Sequence, residues 1–373
     1  MNNFYYRHQG SVVFGRGCVR EYLGSFLEPY GPRVLLAYGG GSIKRSGLYD
    51  QVYRILRRTS KQVTEFPNIP PGPTWSKVQE GAALVWEHGI DLILAVGGGS
   101  VVDCGKAVSM AAVYAGDLWA DFWQRPGVVD FTPVPLGAVI TGPGVGSGMN
   151  GRAVITNEAL GEKGDRDYPP CDPRFTLIDP TDAFSLPRDI LVTSGFEALS
   201  RLMELYFSPP DWETSSDDLM EGLLRGILRD LRDAAASPED YEIRSNLLWE
   251  AALTGDRLFQ LGKRPEFPCQ QLAHKLELRT GRPCGACLAA IQPARYRQLS
   301  RSRPERFARF AQRVWDIPPA GRTPAQLAQA GLDALEDLIR ELGLPGSPEE
   351  LGLRNAELPE EFRELGKRWV HTA

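Results

Sequence analysis

Two glycine turns near the start of the chain have the composition of anion-binding loops. Residues 91–96 form an apolar run that ends in the turn Gly-Gly-Gly-Ser at 97–100, and a helical pattern with Asp103 in its first turn follows. An earlier apolar run at 32–38 leads into the same four residues at 39–42. Glycine lets the backbone approach an anion closely, and the amides of a first helical turn point at its negative charge. The turns therefore predict a site for a diphosphate-containing ligand, with ligand-free tight turns as the alternative.

The segments around these turns alternate between strand-like and helix-like patterns. Residues 63–66 are typical of a strand, and residues 48–58 and 75–88 are typical of helices. This alternation predicts an α/β domain with an open parallel sheet, which binds its ligands at the carboxyl ends of the strands. Neither turn has the GxGxxG spacing of the common dinucleotide fingerprint.

The second half of the chain has helical patterns throughout. They predict helices over residues 191–207, 211–236, 238–261, 267–276, 284–300, 304–315, 324–342 and 359–369. We therefore expect an α/β dinucleotide-binding domain over residues 1–185 and an all-helical domain over 186–373. The charged, proline-rich stretch 161–173 predicts a mobile loop.

Composition excludes several classes of function. The chain has 373 residues, of which 42% are hydrophobic, so it can bury two cores. A net charge of −5 gives no basic surface for nucleic acid, and no apolar run is long enough to span a membrane. Six cysteines without an ordered framework suit a reducing compartment. We expect a soluble cytoplasmic protein with a small-molecule substrate.

Two further motifs, together with the glycine turns, resemble the iron-containing alcohol dehydrogenase family. They are Val-Ile-Thr-Gly-Pro-Gly-Val-Gly-Ser-Gly-Met-Asn at 139–150 and Phe-Thr-Leu-Ile-Asp-Pro at 175–180. The chain is most similar to the branch of NADPH-dependent butanol dehydrogenases and aldehyde reductases, over nearly its whole length. The resemblance implies a dehydroquinate synthase-like fold with a Rossmann-like nucleotide-binding domain and an all-α domain. It also implies a homodimer, in which residues 3–15 form an edge hairpin.

The resemblance assigns coenzyme contacts to the turn 97–100 and to the segment 139–150. The diphosphate is expected on Gly98, Gly99 and Ser100. Asp103 would orient this loop or bind the nicotinamide carboxamide. Thr141 and Ser147 match family positions around the adenine and the nicotinamide.

The turn at 39–42 lies where the family binds the adenosine ribose. The residues expected there are Gly40, Gly41 and Ser42. Family members that prefer NADH tend to carry an Asp near this point, which repels a 2′-phosphate. No acid is present in this turn, and Lys44 and Arg45 follow it. The sequence therefore favours NADPH, with NADH as the alternative.

All four metal-ligand positions of the family are changed in this chain. The family uses one Asp and three His, and the corresponding residues here are Glu197, Arg201, Gln270 and Cys284. The chain contains only four histidines, His8, His88, His274 and His371, so a replacement histidine cluster is impossible. An arginine guanidinium has no lone pair to donate and stays protonated. We therefore predict a site without metal, in which Glu197 and Arg201, one helical turn apart, can pair.

In the family, the metal polarises the substrate carbonyl, so another group must replace it here. Arg201 could stabilise the developing alkoxide, or it could bind a carboxylate or phosphonate of the substrate. An iminium substrate would need neither. His274 matches a family histidine near the nicotinamide and is the candidate proton relay, with a hydrogen-bonded bystander as the alternative. The predicted catalytic residues are His274, Arg201 and Glu197.

Three functions remain open at this stage. The first is a metal-independent NAD(P)H-dependent reductase or dehydrogenase acting on a small aldehyde, ketone or imine. The second is a metalloenzyme with an altered ligand set of Glu197, Cys284 and His274. A related zinc site would use Cys269, His274, Cys284 and Cys287, although the Cys-x-x-Cys is also typical of two small residues packed at the start of a buried helix. The third is a catalytically silent coenzyme-binding homologue.

Overall fold

The chain divides into two compact units, each with its own core. The computed structural model describes residues 2, 4, 6, 10–237 and 239–354, so the helix predicted at 359–369 and most of residues 3–9 lie outside the described residues. The sheet unit comprises Arg7–Pro187 and Glu239–Asp256, and the helical unit comprises Met1–Tyr6, Arg188–Pro238 and Arg257–Ala373. The domain boundary between residues 185 and 186 and the homodimer stay predictions.

A parallel sheet of six strands forms the centre of the sheet unit. The strands are β1 (Ser11–Phe14), β2 (Arg33–Tyr38), β3 (Gln62–Phe66), β4 (Leu92–Gly97), β5 (Leu136–Ile140) and, later in the chain, β8 (Phe175–Ile178). Their order is β1-β8-β5-β4-β2-β3, and every neighbouring pair is parallel. Because β2 and β4 are neighbours, the two glycine turns that follow them lie side by side at the carboxyl edge. This confirms the predicted parallel sheet.

Helices cover both faces of this sheet. They are α1 (Cys18–Leu27), α2 (Ser42–Arg45), α3 (Leu48–Arg58), α4 (Trp75–His88), α5 (Gly99–Ala111) and α8 (Tyr241–Leu253). Successive side chains of a strand point to opposite faces, so Leu35 and Ile93 belong to one core and Leu36 and Leu94 to the other.

One local prediction for this unit is wrong, and another falls mainly outside the described residues. Residues 161–173 are not a mobile loop, because β6 (Arg152–Asn157) pairs antiparallel with β7 (Glu162–Asp167). Strand β7 also packs against Trp123, since a Cβ on Gly164 would lie 2.5 Å from the Trp123 ring. Strand β1 is an edge strand that runs parallel to β8. The other strand of the hairpin predicted over residues 3–15 would fall on residues 3–9, most of which lie outside the described residues, so the hairpin stays a prediction.

Over residues 188–237 and 257–354, the helical unit contains six helices of ten residues or more. They are α6 (Arg188–Phe207), α7 (Ser215–Ala236), α9 (Pro268–Thr280), α10 (Cys284–Ser302), α11 (Pro304–Arg313) and α12 (Pro324–Glu341). Helix α7 begins at a capping box, in which Thr214 and Asp217 satisfy each other's backbone amides. The single helix predicted over 238–261 is instead α8 followed by a 3₁₀ turn at Arg257–Gln260. Within the described residues, no helix is both long and apolar enough to cross a membrane.

A buried group of charges ties α7 to later parts of the helical unit. The Asp217 carboxylate lies 2.7 Å from the Lys263 Nζ, and both side chains are fully buried. Arg306 donates hydrogen bonds to Asp217 and to the backbone carbonyl of Tyr206. Burial alone would raise the pKa of Asp217, but the hydrogen bonds and charges of Arg306 and Lys263 outweigh it and lower that pKa. Asp217 is therefore ionised in the folded protein.

Candidate functional site

The turn between β4 and α5 presents open space above its glycines. Gly98 is extended and caps α5, whose first residue is Gly99. A Cβ built on Gly98 would meet no protein atom within 4 Å, and the same holds for Gly40 in the neighbouring turn. The first-turn amides of α5 lie beside this space, so the structure offers the cradle that a diphosphate requires.

Buried polar contacts fix the start of α5. The Asp103 Oδ2 accepts a hydrogen bond from the Val154 N–H of β6 at 3.1 Å. Lys106 lies 3.7 Å from Asp103 and donates to the Arg152 carbonyl at 2.6 Å. Burial raises the pKa of Asp103, while the charge of Lys106 opposes this rise. These contacts support the loop-orienting role expected for Asp103.

Hydrogen bonds and close packing also fix the other predicted coenzyme residues in and near this turn. The Ser100 Oγ accepts a hydrogen bond from the Gly72 N–H at 3.3 Å. The Thr141 N–H donates to the Gly97 carbonyl at 3.1 Å, which joins the end of β5 to the end of β4. A Cβ on Gly99 would lie 3.1 Å from the Ser147 hydroxyl. The structure thus brings together Gly98, Gly99, Ser100, Asp103, Thr141 and Ser147.

Helix α8 supplies part of this site, which the sequence did not indicate. A small cavity of about 20 Å³ is lined by Gly99, Gly146 and Ser147 and also by Leu248 and Ala252 of α8. Gly146 has φ of +70°, and a Cβ there would lie 2.4 Å from the Gly255 Cα just beyond α8. The loop after β5 therefore rests directly on the end of α8.

Replacing Gly146 with alanine is expected to destabilise the sheet unit by roughly 2–3 kcal/mol, because the new methyl group collides with backbone and the residue must keep a left-handed conformation. Thermal unfolding measures the loss, and coenzyme titration should show weaker binding. Gly144→Ala is the matched control, since a Cβ at Gly144 meets no atom within 4 Å. Equal stability of the two variants would contradict the close seating of this loop.

Two basic residues, Lys44 and Arg45, follow the turn at 39–42. Gly41 adopts φ of +103° and caps α2, which begins at Ser42. The Lys44 Nζ lies over the rings of Tyr38 and Tyr49, 5.1 Å and 4.6 Å from their centroids. Glu65 on β3, which the sequence analysis did not include, accepts hydrogen bonds from both tyrosine hydroxyls. Lys44 is thus part of an aromatic and acidic cluster beside the turn.

Arg201 and Gln270 meet inside the helical unit. Arg201 on α6 is only 3% exposed, and its Nη1 donates a hydrogen bond to the Gln270 Oε1 at 3.2 Å. The guanidinium also lies 4.5 Å from the ring centroid of Phe267, the residue that precedes α9. Two of the four positions that the resemblance assigns to metal ligands are therefore hydrogen-bonded to each other.

Glu204, one turn after Arg201 on α6, caps the first turn of α9. Its carboxylate accepts a hydrogen bond from the Cys269 N–H at 2.6 Å and another from the Gln270 N–H at 3.1 Å. Helix α9 needs this cap because Phe267 provides no side-chain cap of its own. Burial raises the pKa of Glu204 to about 7, although the two amides and the charge of Arg201 act in the opposite direction.

The remaining predicted residues lie on the same three helices. His274 is buried one turn after Gln270 on α9. Helices α6 and α10 cross in contact near Glu197, since a Cβ on Gly285 would lie 3.3 Å from the Glu197 backbone nitrogen. Cys284 and Cys287 are buried at the start of α10. In the part of the chain that the structure describes, no group of three or more His, Cys, Asp or Glu residues is placed to hold a metal ion.

Sequence reasoning missed Lys106, Glu204 and Glu65. A signal for Glu204 was present, because residues three apart on a helix share a face and Glu204 follows Arg201 at that spacing. Lys106 stands three residues after Asp103 in the same way. Glu65 lies at the end of a strand next to the turn, and only the order of the strands in the sheet reveals its position.

Comparisons with known proteins cover nearly the whole chain. Residues 10–180 match the model of the iron-containing alcohol dehydrogenases, and residues 191–368 match the C-terminal model of the same family. The probable NADH-dependent butanol dehydrogenase 1 of Bacillus subtilis is 34% identical over 96% of this chain and 92% of that protein. The NADPH-dependent aldehyde reductase YqhD of Escherichia coli is 30% identical over 98% and 93%.

Solved structures agree with these matches. NADH-dependent butanol dehydrogenase A of Thermotoga maritima superposes with a TM-score of 0.90 at 32% identity, covering 98% of this chain and 89% of that one. Its fold, a parallel sheet with a helical C-terminal part, is the one expected here. The chain belongs to the iron-containing alcohol dehydrogenase family.

Proposed function

We propose that the protein is an NAD(P)H-dependent reductase that transfers hydride to a small aldehyde, ketone or imine without a divalent metal. Family membership supports the class of reaction, since the relatives named above are alcohol dehydrogenases and an aldehyde reductase. The observation that carries the metal-free part is the buried hydrogen bond between Arg201 and Gln270.

Arg201 and Gln270, at two of the family's metal positions, do not fit a divalent ion. Arg201 offers only N–H donors and a permanent positive charge, so it repels a cation instead of binding it. Its Nη1 already donates a hydrogen bond to the Gln270 Oε1, the side-chain oxygen with which Gln270 would have to bind a metal. A metal would have to displace a buried guanidinium that also stacks on Phe267. Arg201 and Gln270 therefore support a site in which the fixed positive charge of the guanidinium takes the place of a metal ion.

The coenzyme, in contrast, fits the turns of the sheet unit. Open space lies above Gly40 and Gly98, and the first turn of α5 points its amides there. When bound, reduced nicotinamide supplies the hydride. We propose that Gly98, Gly99 and Ser100 hold its diphosphate, while Asp103 and Ser147 keep the loop in place.

In the proposed reaction, hydride adds to the carbonyl carbon and negative charge develops on the carbonyl oxygen. Arg201 would donate hydrogen bonds to that oxygen, with Gln270 holding the guanidinium. His274 would then deliver the proton that completes the alcohol. We propose NADPH as the preferred coenzyme, since the turn at 39–42 contains no acid and Arg45 follows it. A charged guanidinium suits the 2′-phosphate.

The test is oxidation of NADPH and NADH against butyraldehyde, acetone and 2-methyl-1-pyrroline, before and after dialysis against EDTA. We expect turnover with at least one substrate, a higher kcat/KM with NADPH, and a rate that neither EDTA nor added Zn²⁺ or Fe²⁺ changes. Metal analysis of the purified protein should find far less than one ion per chain.

Two other outcomes would replace the proposal. A stoichiometric ion together with loss of activity in EDTA would show an altered ligand set. Tight coenzyme binding without turnover of any of the three substrates would favour the silent homologue.

A further inference from the structure

Glu204 is a buried carboxylate that the reaction proposed above does not use. It is 3% exposed and lies on α6, three residues after Arg201. Its two oxygens bind two successive amides, those of Cys269 and Gln270, at 2.6 Å and 3.1 Å. A carboxylate that accepts two backbone N–H groups at a helix start is held in one orientation and holds that helix in turn.

The contacts form a closed ring through two helices. Arg201 and Glu204 are fixed relative to each other by one turn of α6. Glu204 fixes the backbone of Gln270, and the Gln270 Oε1 accepts a hydrogen bond from Arg201 at 3.2 Å. Phe267, which precedes this turn of α9, carries the guanidinium on its ring. Gln270 and Phe267 therefore both belong to the segment that Glu204 caps.

We infer that Glu204 is a positioning residue, whose carboxylate fixes the start of α9 so that Gln270 and Phe267 hold Arg201 in a single orientation. The inference rests on the proposed function, because Arg201 must act on the substrate for its orientation to matter. An arginine stabilises a developing charge effectively only when its guanidinium is already oriented before the charge appears, because reorienting it during the reaction costs free energy. Glu204 would fix this orientation without touching the substrate.

A double-mutant cycle separates this role from general stabilisation. Glu204→Gln removes the charge and replaces one of the two acceptors by a donor, and Gln270→Met removes the acceptor for Arg201 at similar volume. We expect each variant to lower kcat with butyraldehyde and NADPH by roughly 10–30-fold, the equivalent of one strong hydrogen bond, and to leave the KM for NADPH unchanged. The kcat of the double variant should fall no further than that of the less active single variant, because both changes break the same ring of contacts.

Hydrogen exchange gives a readout that does not depend on activity. In Glu204→Gln, the amides of Cys269 and Gln270 should lose protection. Glu221→Gln is the matched control: Glu221 is also a buried glutamate of the helical unit, but it accepts from the Tyr206 hydroxyl and pairs with Arg309. It should leave both kcat and the exchange of α9 unchanged.

Several results would overturn the inference. They are a Glu204→Gln variant with wild-type kcat, losses that multiply in the double variant, or unchanged exchange at the start of α9. If Glu204→Gln does not fold, the same cycle with Glu204→Asp decides, because aspartate keeps the charge and shortens its reach. A wild-type protein that reduces none of the three substrates overturns the proposed function, whereas an active wild type with an equally active Glu204→Gln variant overturns only the role of Glu204.

Discussion

Replacing Arg201 with methionine should lower kcat by about 100–1000-fold, the usual effect of removing one group that stabilises a developing oxyanion. Methionine is a flexible apolar side chain that provides no donor and no charge, so it removes the guanidinium that lies over the Phe267 ring. The KM for NADPH should change little, since the predicted coenzyme contacts all lie in the sheet unit. Stopped-flow or steady-state oxidation of NADPH with butyraldehyde measures the loss.

Two companion variants define what Arg201 does. Arg201→Lys keeps the charge without the planar fork, so intermediate activity indicates that geometry matters as well as charge. Arg201→His combined with Gln270→His restores two family ligands, and activity that depends on added zinc or iron would show that only the ligand set has changed. An Arg201→Met variant with more than about a third of wild-type kcat would contradict a transition-state role.

Replacing Asp217 with asparagine should destabilise the helical unit by about 3–5 kcal/mol, because it leaves two buried cations, Lys263 and Arg306, without their anion. The side chain keeps its size, so the loss reports charge and not packing. Thermal and urea unfolding measure it. The matched control is Asp218→Asn, whose mostly exposed side chain pairs with Arg309 and should contribute less than about 1 kcal/mol.

The same group predicts a dependence on pH. The pKa of Asp217 is lowered in the folded protein, so its contribution to stability is fully present at neutral pH and is lost as the pH falls through the folded-state value. Asp217→Asn should therefore be less sensitive to acid than the wild type. Equal stability of Asp217→Asn and Asp218→Asn at neutral pH would show that the buried charges are already compensated by other groups.

Local patterns were sufficient for the part of the fold that binds the coenzyme. An apolar run that ends in glycines specifies a buried strand and a tight turn, and β4 and α5 follow that pattern. Strand β7 was missed because its sequence, Glu-Lys-Gly-Asp-Arg-Asp, has no apolar alternation. Backbone pairing with β6 and the packing of Gly164 against Trp123 make it a strand, and neither is visible in a local window.

The candidate site in the helical unit was predictable only in part. Resemblance to the family placed Arg201 and Gln270 at related positions, and the structure shows the hydrogen bond between them. The cap that Glu204 provides depends on where α9 begins relative to α6, which is a tertiary property. The substrate-facing roles of Arg201, Glu197 and His274 stay predictions.

The sheet unit is assembled from two separate segments of the chain, and this limits how the protein can be cut into folded fragments. Helix α8 lies far along the sequence, yet Leu248 and Ala252 belong to the core beneath β4 and β5, and the ring of Trp249 packs 5.5 Å from that of Phe14. A fragment ending at residue 187 would expose that apolar surface and remove the support of Gly146. Exchanging the whole sheet unit for that of a relative therefore requires both segments together, since neither encodes a complete folding module.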